Sequence, residues 1–255
     1  MRSNTVTSST PQAYRPGHDC QPDHARAGCD FYLAEMGEAV TDPGTAALLE
    51  LVGPVHGRRV LDLACGHGRV TRELIRRGAT VTGLDISDAL LTRGRTAEQV
   101  APLGARYIHG DAAGSVDLPA GSFDSVVCNY GLSDIDDLAG ALANVHTLLR
   151  PGRAFVFSLL HPCFPGWGND VASSWSPGHG YFAEGWWRSD ARASNLRRRV
   201  GANHRTIATY LNELAAHDLA VQRVLEPDAS CMQIQRRPRP ECAERPSRCD
   251  PARHS

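Results

Sequence analysis

The stretch RRVLDLACGHGRVTRELIRRGATVTGLD, residues 58–85, decides the fold of this chain. It opens on the apolar, strand-like run RRVLDLA (58–64) and breaks at the glycine-bearing CGHG (65–68). In the following RVTRELIRRG, Val70, Leu74 and Ile75 recur at helical spacing, and Gly78 supplies the stop. ATVTGLD (79–85) is a second strand. Continuous apolar strands joined through a helix imply a parallel sheet buried on both faces.

The pattern extends in both directions. Upstream, FYLAEMGEAV (31–40) suits a short helix, and a second is predicted over 43–51. Asp42 is its N-cap, Pro43 its first residue, and Gly53-Pro54 end it. Downstream, Ser87 caps another helix, and ARYIHGD (105–111) and FDSVVCN (123–129) read as third and fourth strands. Between them and a fifth strand, AFVFSLL (154–160), lies the helical DDLAGALANVHTLLR with its stop at Pro151-Gly152. A last helix, TIATYLNELAAH (206–217), precedes a sixth strand, AVQRVLEP (220–227). With right-handed crossovers, this alternation gives a doubly wound, mostly parallel sheet with helices on both faces. Residues 1–28, rich in Ser, Thr, Pro and Gly, read as a disordered leader, and 29–227 as one domain. Within it, 161–205 lack a period and read as a substrate lid, and 228–255 form an irregular tail.

Composition narrows the function. A 255-residue chain with a formal net charge of −1 has no global attraction for nucleic acid or an anionic membrane. No apolar run approaches the roughly 20 residues that span a bilayer, and the first residues lack a secretory pattern. A cytoplasmic setting follows as the expectation. The eight cysteines form no CxxC pair and no metal-ligand spacing, so reduced thiols and no metal site are expected.

Chemistry concentrates at DLACGHG (62–68), a glycine turn between strand and helix that lets a ligand approach the backbone and meet helix N–H groups. Asp85 ends the second strand, where an acidic side chain can accept from both ribose hydroxyls. A nicotinamide cofactor is the competing reading. Its G-x-G-x-x-G/A fingerprint is met only in part, because Gly66 and Gly68 are followed by Thr71.

VLDLACGHGRVTREL followed by VTGLDIS resembles motif I and the acidic second motif of class I S-adenosylmethionine-dependent methyltransferases. GDA (110–112), FDSVVCNYGLSDIDD (123–137) and LLRPGRAFVFSLLHPCF (148–164) continue the resemblance in order and spacing. The similarity is to the small-molecule subgroup related to ubiquinone-biosynthesis enzymes and common in secondary metabolism; it covers about 31–227. The resemblance implies a Rossmann-like domain, S-adenosyl-L-methionine as donor and a small-molecule acceptor. It assigns Asp62, Cys65, Gly66 and Gly68 to the methionine moiety and Asp85 to the ribose. Ile86 is assigned to the adenine face, Asp111 and Ala112 to its edge, Asn129 to the donor ammonium through its carbonyl, and Tyr130 to the methyl exit.

Methyl transfer to a hydroxyl or carbon acid also needs a proton acceptor. His161, directly after the fifth strand, reads either as that base or as a ring bonded to the loop below it. His204 and Arg205 belong to a phrase similar to the subgroup's HR-[PT]-[LI]-x-x-Y, and read either as pocket residues or as the helix entry. Asp134, Asp136 and Asp137 suit a helix N-terminus. Trp175, Tyr181, Phe182, Trp186 and Trp187 give the lid an aromatic character, as substrate contacts or as packing. One departure stands out: only the short CMQIQ follows the sixth strand where the family places a closing β-hairpin. Two other readings are open, a donor-binding protein without transfer and a nucleotide-dependent oxidoreductase. The NYGL after the fourth strand, where nucleic-acid enzymes of this class carry an NPPY-type motif, speaks against a nucleic-acid substrate. No oligomeric state follows from the sequence.

Overall fold

The computed structural model describes residues 37, 39–163, 180–187 and 201–227. Helix α1 (Pro43–Val52) starts under the cap predicted for it, the Asp42 carboxylate accepting from the Thr45 N–H, and stops at Gly53. Strand β1 (Arg59–Leu63), helix α2 (Arg69–Arg76), strand β2 (Thr80–Asp85), helix α3 (Asp88–Val100) and strand β3 (Arg106–His109) follow. Strand β4 (Phe123–Asn129), a short 3₁₀ turn (Leu132–Asp134), helix α4 (Leu138–Leu148) and strand β5 (Leu149–Ser158) complete the sheet region. Ser87 caps α3 and Asp137 caps α4, each accepting a hydrogen bond from the first helical turn.

The strand order is β3-β2-β1-β4-β5, every neighbouring pair parallel. This is the doubly wound, Rossmann-like arrangement that the alternation predicts. Successive strand residues face opposite layers. Val60, Val81 and Val127 pack with Leu48, Leu49 and Leu74 on the α1/α2 side. Leu61, Leu63 and Val126 pack with Leu142, Val145 and Leu214 on the other. The order reverses between β1 and β4, which opens a crevice at their carboxyl ends, where this topology binds ligands.

Beyond the sheet, strands β6 (Gly185–Trp187) and β7 (Ala202–His204) pair antiparallel and lead into helix α5 (Ile207–Ala216). Two expectations change. β5 begins at Leu149, not 154, because the chain leaves α4 already extended and passes Pro151-Gly152 within the strand, Gly152 at φ 73°. Residues 220–227 are not a strand: they carry the alternation of one but no ladder partner among the described residues. Of the predicted helix 31–40, only 37, 39 and 40 are described, and none is helical. The leader and the tail with CMQIQ lie outside the described residues, as does Trp175. Among the described residues no helix is long and apolar enough to cross a membrane.

Candidate active site

The glycine turn leaves β1 through Ala64 (φ 55°), Gly66 (φ 59°) and Gly68 (φ 86°), a run of left-handed conformations that reverses the chain and opens α2. Asp85 pins it: Oδ2 accepts from the Gly66 N–H at 2.7 Å and Oδ1 from the Ser87 N–H at 2.8 Å. Burial pushes this carboxyl above its usual range, and the two N–H donors only partly oppose the rise. Asp62, one strand away, is completely buried and accepts from the Thr71 hydroxyl at 2.6 Å. Burial raises its pKa to about 7; the Thr71 bond opposes the rise and the Asp85 charge adds to it.

A cleft of about 280 Å³ lies at this end of the sheet, lined by Asp62, Cys65, His67, Arg69 and Asn129 among others. The Asp62 carboxyl in its lining, the glycine turn beside it and Asp85 beneath that turn suit a nucleoside carrying a cationic amino-acid end. S-adenosylmethionine, with ribose hydroxyls, ammonium and sulfonium, fits that donor set. Asn129 is held by its side chain, Nδ2 donating to Thr45 Oγ1 and Oδ1 accepting from Ser158 Oγ. Ile86, at 46% exposure, presents an uncovered apolar side chain beside Asp85. Asp111 caps its own turn through the Ala113 N–H, and Ala112 is buried with its carbonyl taken by Asn144.

Tyr130 adopts φ 60°, uncommon for a residue with a Cβ, and its hydroxyl donates to Asp42 Oδ1 at 3.1 Å. Asp42 also receives Arg69 Nη1 at 2.8 Å, so the first turn of α1 is joined to the cleft wall. Sequence reasoning gave Asp42 only its capping role and passed over Arg69 and Thr45. A signal was present: Arg69 is the first residue of α2, where the helix dipole repels a cation unless an anion accompanies it.

The second cleft, about 300 Å³, is lined by Ser133, His161, Trp187, His204, Arg205 and Tyr210 among others. It lies beyond the carboxyl ends of β4 and β5, on the same end of the sheet as the first. His161 has both ring nitrogens engaged, Nδ1 accepting from the Cys163 N–H and Nε2 at 3.1 Å from Glu226. His204 is 5% exposed and donates from Nε2 to the Tyr181 carbonyl at 2.8 Å. Asp136 accepts from Asn203, and Arg205 donates to the carbonyls of Leu132, Ile135 and Asp136. Among the described residues no group of three or more His, Cys, Asp or Glu is placed to hold a metal ion.

Residues 61–157 match the family model described as a methyltransferase domain. A crystal structure of an S-adenosylmethionine-dependent methyltransferase from Mesorhizobium loti is 34% identical, with a TM-score of 0.59, over 72% of this chain and 84% of that one. The chain belongs to the S-adenosylmethionine-dependent methyltransferases. The chain is also similar to an uncharacterized methyltransferase from Mycobacterium bovis, 38% identical over 106 residues, or 42% of this chain and 52% of the relative. A ubiquinone biosynthesis O-methyltransferase from Alkalilimnicola ehrlichii is 35% identical over 114 residues, 44% of this chain and 45% of the relative. The chain thus spans about half the length of the curated methyltransferases it matches. The donor that defines the family is S-adenosylmethionine, and the cleft at the glycine turn is the place where this chain's residues suit it.

Proposed function

We propose that this protein transfers a methyl group from S-adenosylmethionine to an oxygen, nitrogen or acidic carbon of a small metabolite, in the cytoplasm and in secondary metabolism. The observation that carries the reading is the pair of clefts at one end of the sheet, one lined by Asp62, Cys65 and Asn129 beside the glycine turn, the other by histidine and aromatic side chains. The NYGL at 129–132, where nucleic-acid enzymes of this class carry an NPPY-type motif, leads us to favour a small acceptor over a nucleic acid. On this reading the catalytic domain is 29–227, and the described residues of 161–205, His161, Trp187 and His204 among them, border the acceptor.

When bound, the donor supplies an already activated methyl group, so the chain's own work is positioning, exclusion of water and removal of a proton. Asp62 offers its carboxyl oxygens to the methionine end of the donor and Asp85 to the ribose hydroxyls, Asp85 also keeping the turn closed. Ile86 covers the adenine, Asp111 and Ala112 flank its edge, and Asn129 and Tyr130 border the methionine end. For a hydroxyl acceptor we favour His204 as the base, since it is buried in the wall of the second cleft and oriented by the Tyr181 carbonyl, over the more exposed His161. The acceptor lone pair then forms the bond to the methyl carbon as the carbon–sulfur bond breaks, and the proton passes to His204.

Calorimetric titration with S-adenosylmethionine is the decisive test. We expect saturable binding that weakens at least ~10-fold in Asp85→Ala, the loss of a charge-assisted contact. Once an acceptor is found, His204→Gln should lower turnover ~10²-fold or more without changing donor affinity. A folded protein that ignores the donor refutes the proposal.

A further inference from the structure

The residue that the donor reading leaves unused is Arg69. Its side chain is 6% exposed, yet it lines the first cleft, where it is the one guanidinium or ammonium among the described lining residues. Three of its five N–H groups are taken: Nη1 donates to the Ala39 carbonyl and to Asp42 Oδ2, and Nη2 to Thr45 Oγ1. The Nε–H and the second Nη2–H have no acceptor among the described residues. A guanidinium buried to this degree seldom keeps two donors unused.

Its orientation is fixed with unusual thoroughness. Asp42 Oδ1 accepts from the Thr45 N–H and the Tyr130 hydroxyl, and Oδ2 from the Thr45 hydroxyl and Arg69. Thr45 is fully buried and accepts from both Arg69 and Asn129. Asp42 and Thr45 at the start of α1, with Asn129 and Tyr130 at the end of β4, therefore set one guanidinium at the cleft wall. The donor carries one anionic group, its α-carboxylate, while the one acidic side chain among the described lining residues, Asp62, suits its cationic groups.

Resting on the donor reading above, we propose that Arg69 binds the donor carboxylate through its two remaining N–H groups, and that Asp42 is the positioning residue that aims it. The pair selects ligands that keep the whole amino-acid end over those that end at the thioether.

The test compares two probes on the full chain, S-adenosylhomocysteine, which has the carboxylate, and 5′-methylthioadenosine, which lacks the amino-acid end. Arg69→Met should weaken the first ~10–100-fold, the worth of a charge-assisted pair, and leave the second within about twofold. Arg69→Lys, which keeps charge but not the fork, should fall between. Asp42→Asn should weaken S-adenosylhomocysteine several-fold and spare 5′-methylthioadenosine, whose unchanged binding also certifies the fold of each variant. Equal losses on both probes, or no loss on either, overturn the assignment. A wild-type chain that binds neither probe overturns the donor reading and this assignment with it.

Discussion

Asp62 sits where a single proton has a measurable cost. Its carboxyl is raised to about 7 by burial, the Thr71 hydroxyl only partly countering, so the ligand-free protein prefers it neutral. The sign follows from linkage: a raised carboxyl favours folding fully below its unfolded value near 4, and that advantage is lost as pH climbs through about 7. Asp62→Asn should therefore gain stability over the parent progressively from pH 4 to 7 and level off above, by on the order of a few kcal/mol. Thermal melts of both proteins across that range check it; a pH-independent gap would refute it. The same variant loses a charge facing the donor, so its binding should weaken as its stability rises. Asp62 and Asp85 were legible because an acid at the end of an apolar strand is conspicuous. The bond from the Gly66 N–H to Asp85 was not, since it joins residues 19 apart through the reversal of a turn.

At the level of elements, Asp42 and Ser87 were readable as caps, and each accepts from the third residue beyond it; Asp137 and Thr206 do the same, though neither was read as a cap. Such signals are local, and local chemistry survives in a linear sequence. The β6/β7 pair was not readable because three-residue strands carry no period. Residues 220–227 misled for the opposite reason, having the period without a neighbour to bond. Glycines inside or beside helices gain their meaning from Tyr107 on β3. A Cβ on Gly68 would lie 2.0 Å from its hydroxyl oxygen, and one on Gly94 2.9 Å from its Cζ. That buried hydroxyl has no hydrogen-bond partner among the described residues. Tyr107→Phe should thus be neutral or stabilising by about 1 kcal/mol. Gly68→Ala should cost on the order of 2–4 kcal/mol, since a left-handed φ of 86° adds to the clash. Adding Tyr107→Phe to it should recover part of the loss in denaturant melts; full additivity would contradict the contact.

Across the whole molecule, the β6–β7–α5 unit joins the sheet through the packing of Tyr210 and Leu214 and, among the described polar contacts, through Arg205. That side chain donates to three main-chain carbonyls of the turn after β4, at 2.7–3.1 Å, while Asn203 reaches Asp136 beside it. Arg205→Ala leaves those carbonyls without their donor and should cost about 2–3 kcal/mol, read as a lower Tm. Acceptor KM should rise while donor affinity stays within about twofold, because the donor cleft is built from β1, β2 and β4. Equal damage to both ligands would mean that the two clefts are not separable in this way. Fold class and the donor half were legible because their residues lie in one continuous stretch; the acceptor half is assembled from distant pieces, and its histidines could be placed only by their partners in space.

The four hydrogen bonds on the Asp42 carboxylate also constrain how this protein can change over time. A replacement there strands a guanidinium, a threonine and a left-handed tyrosine together, so positions 42, 45, 69 and 130 are expected to drift as a set or stay still. A chimera that borrows its first helix from a relative would inherit half of a lock, and regains its fit only when the matching partners from α2 and β4 are carried across with it.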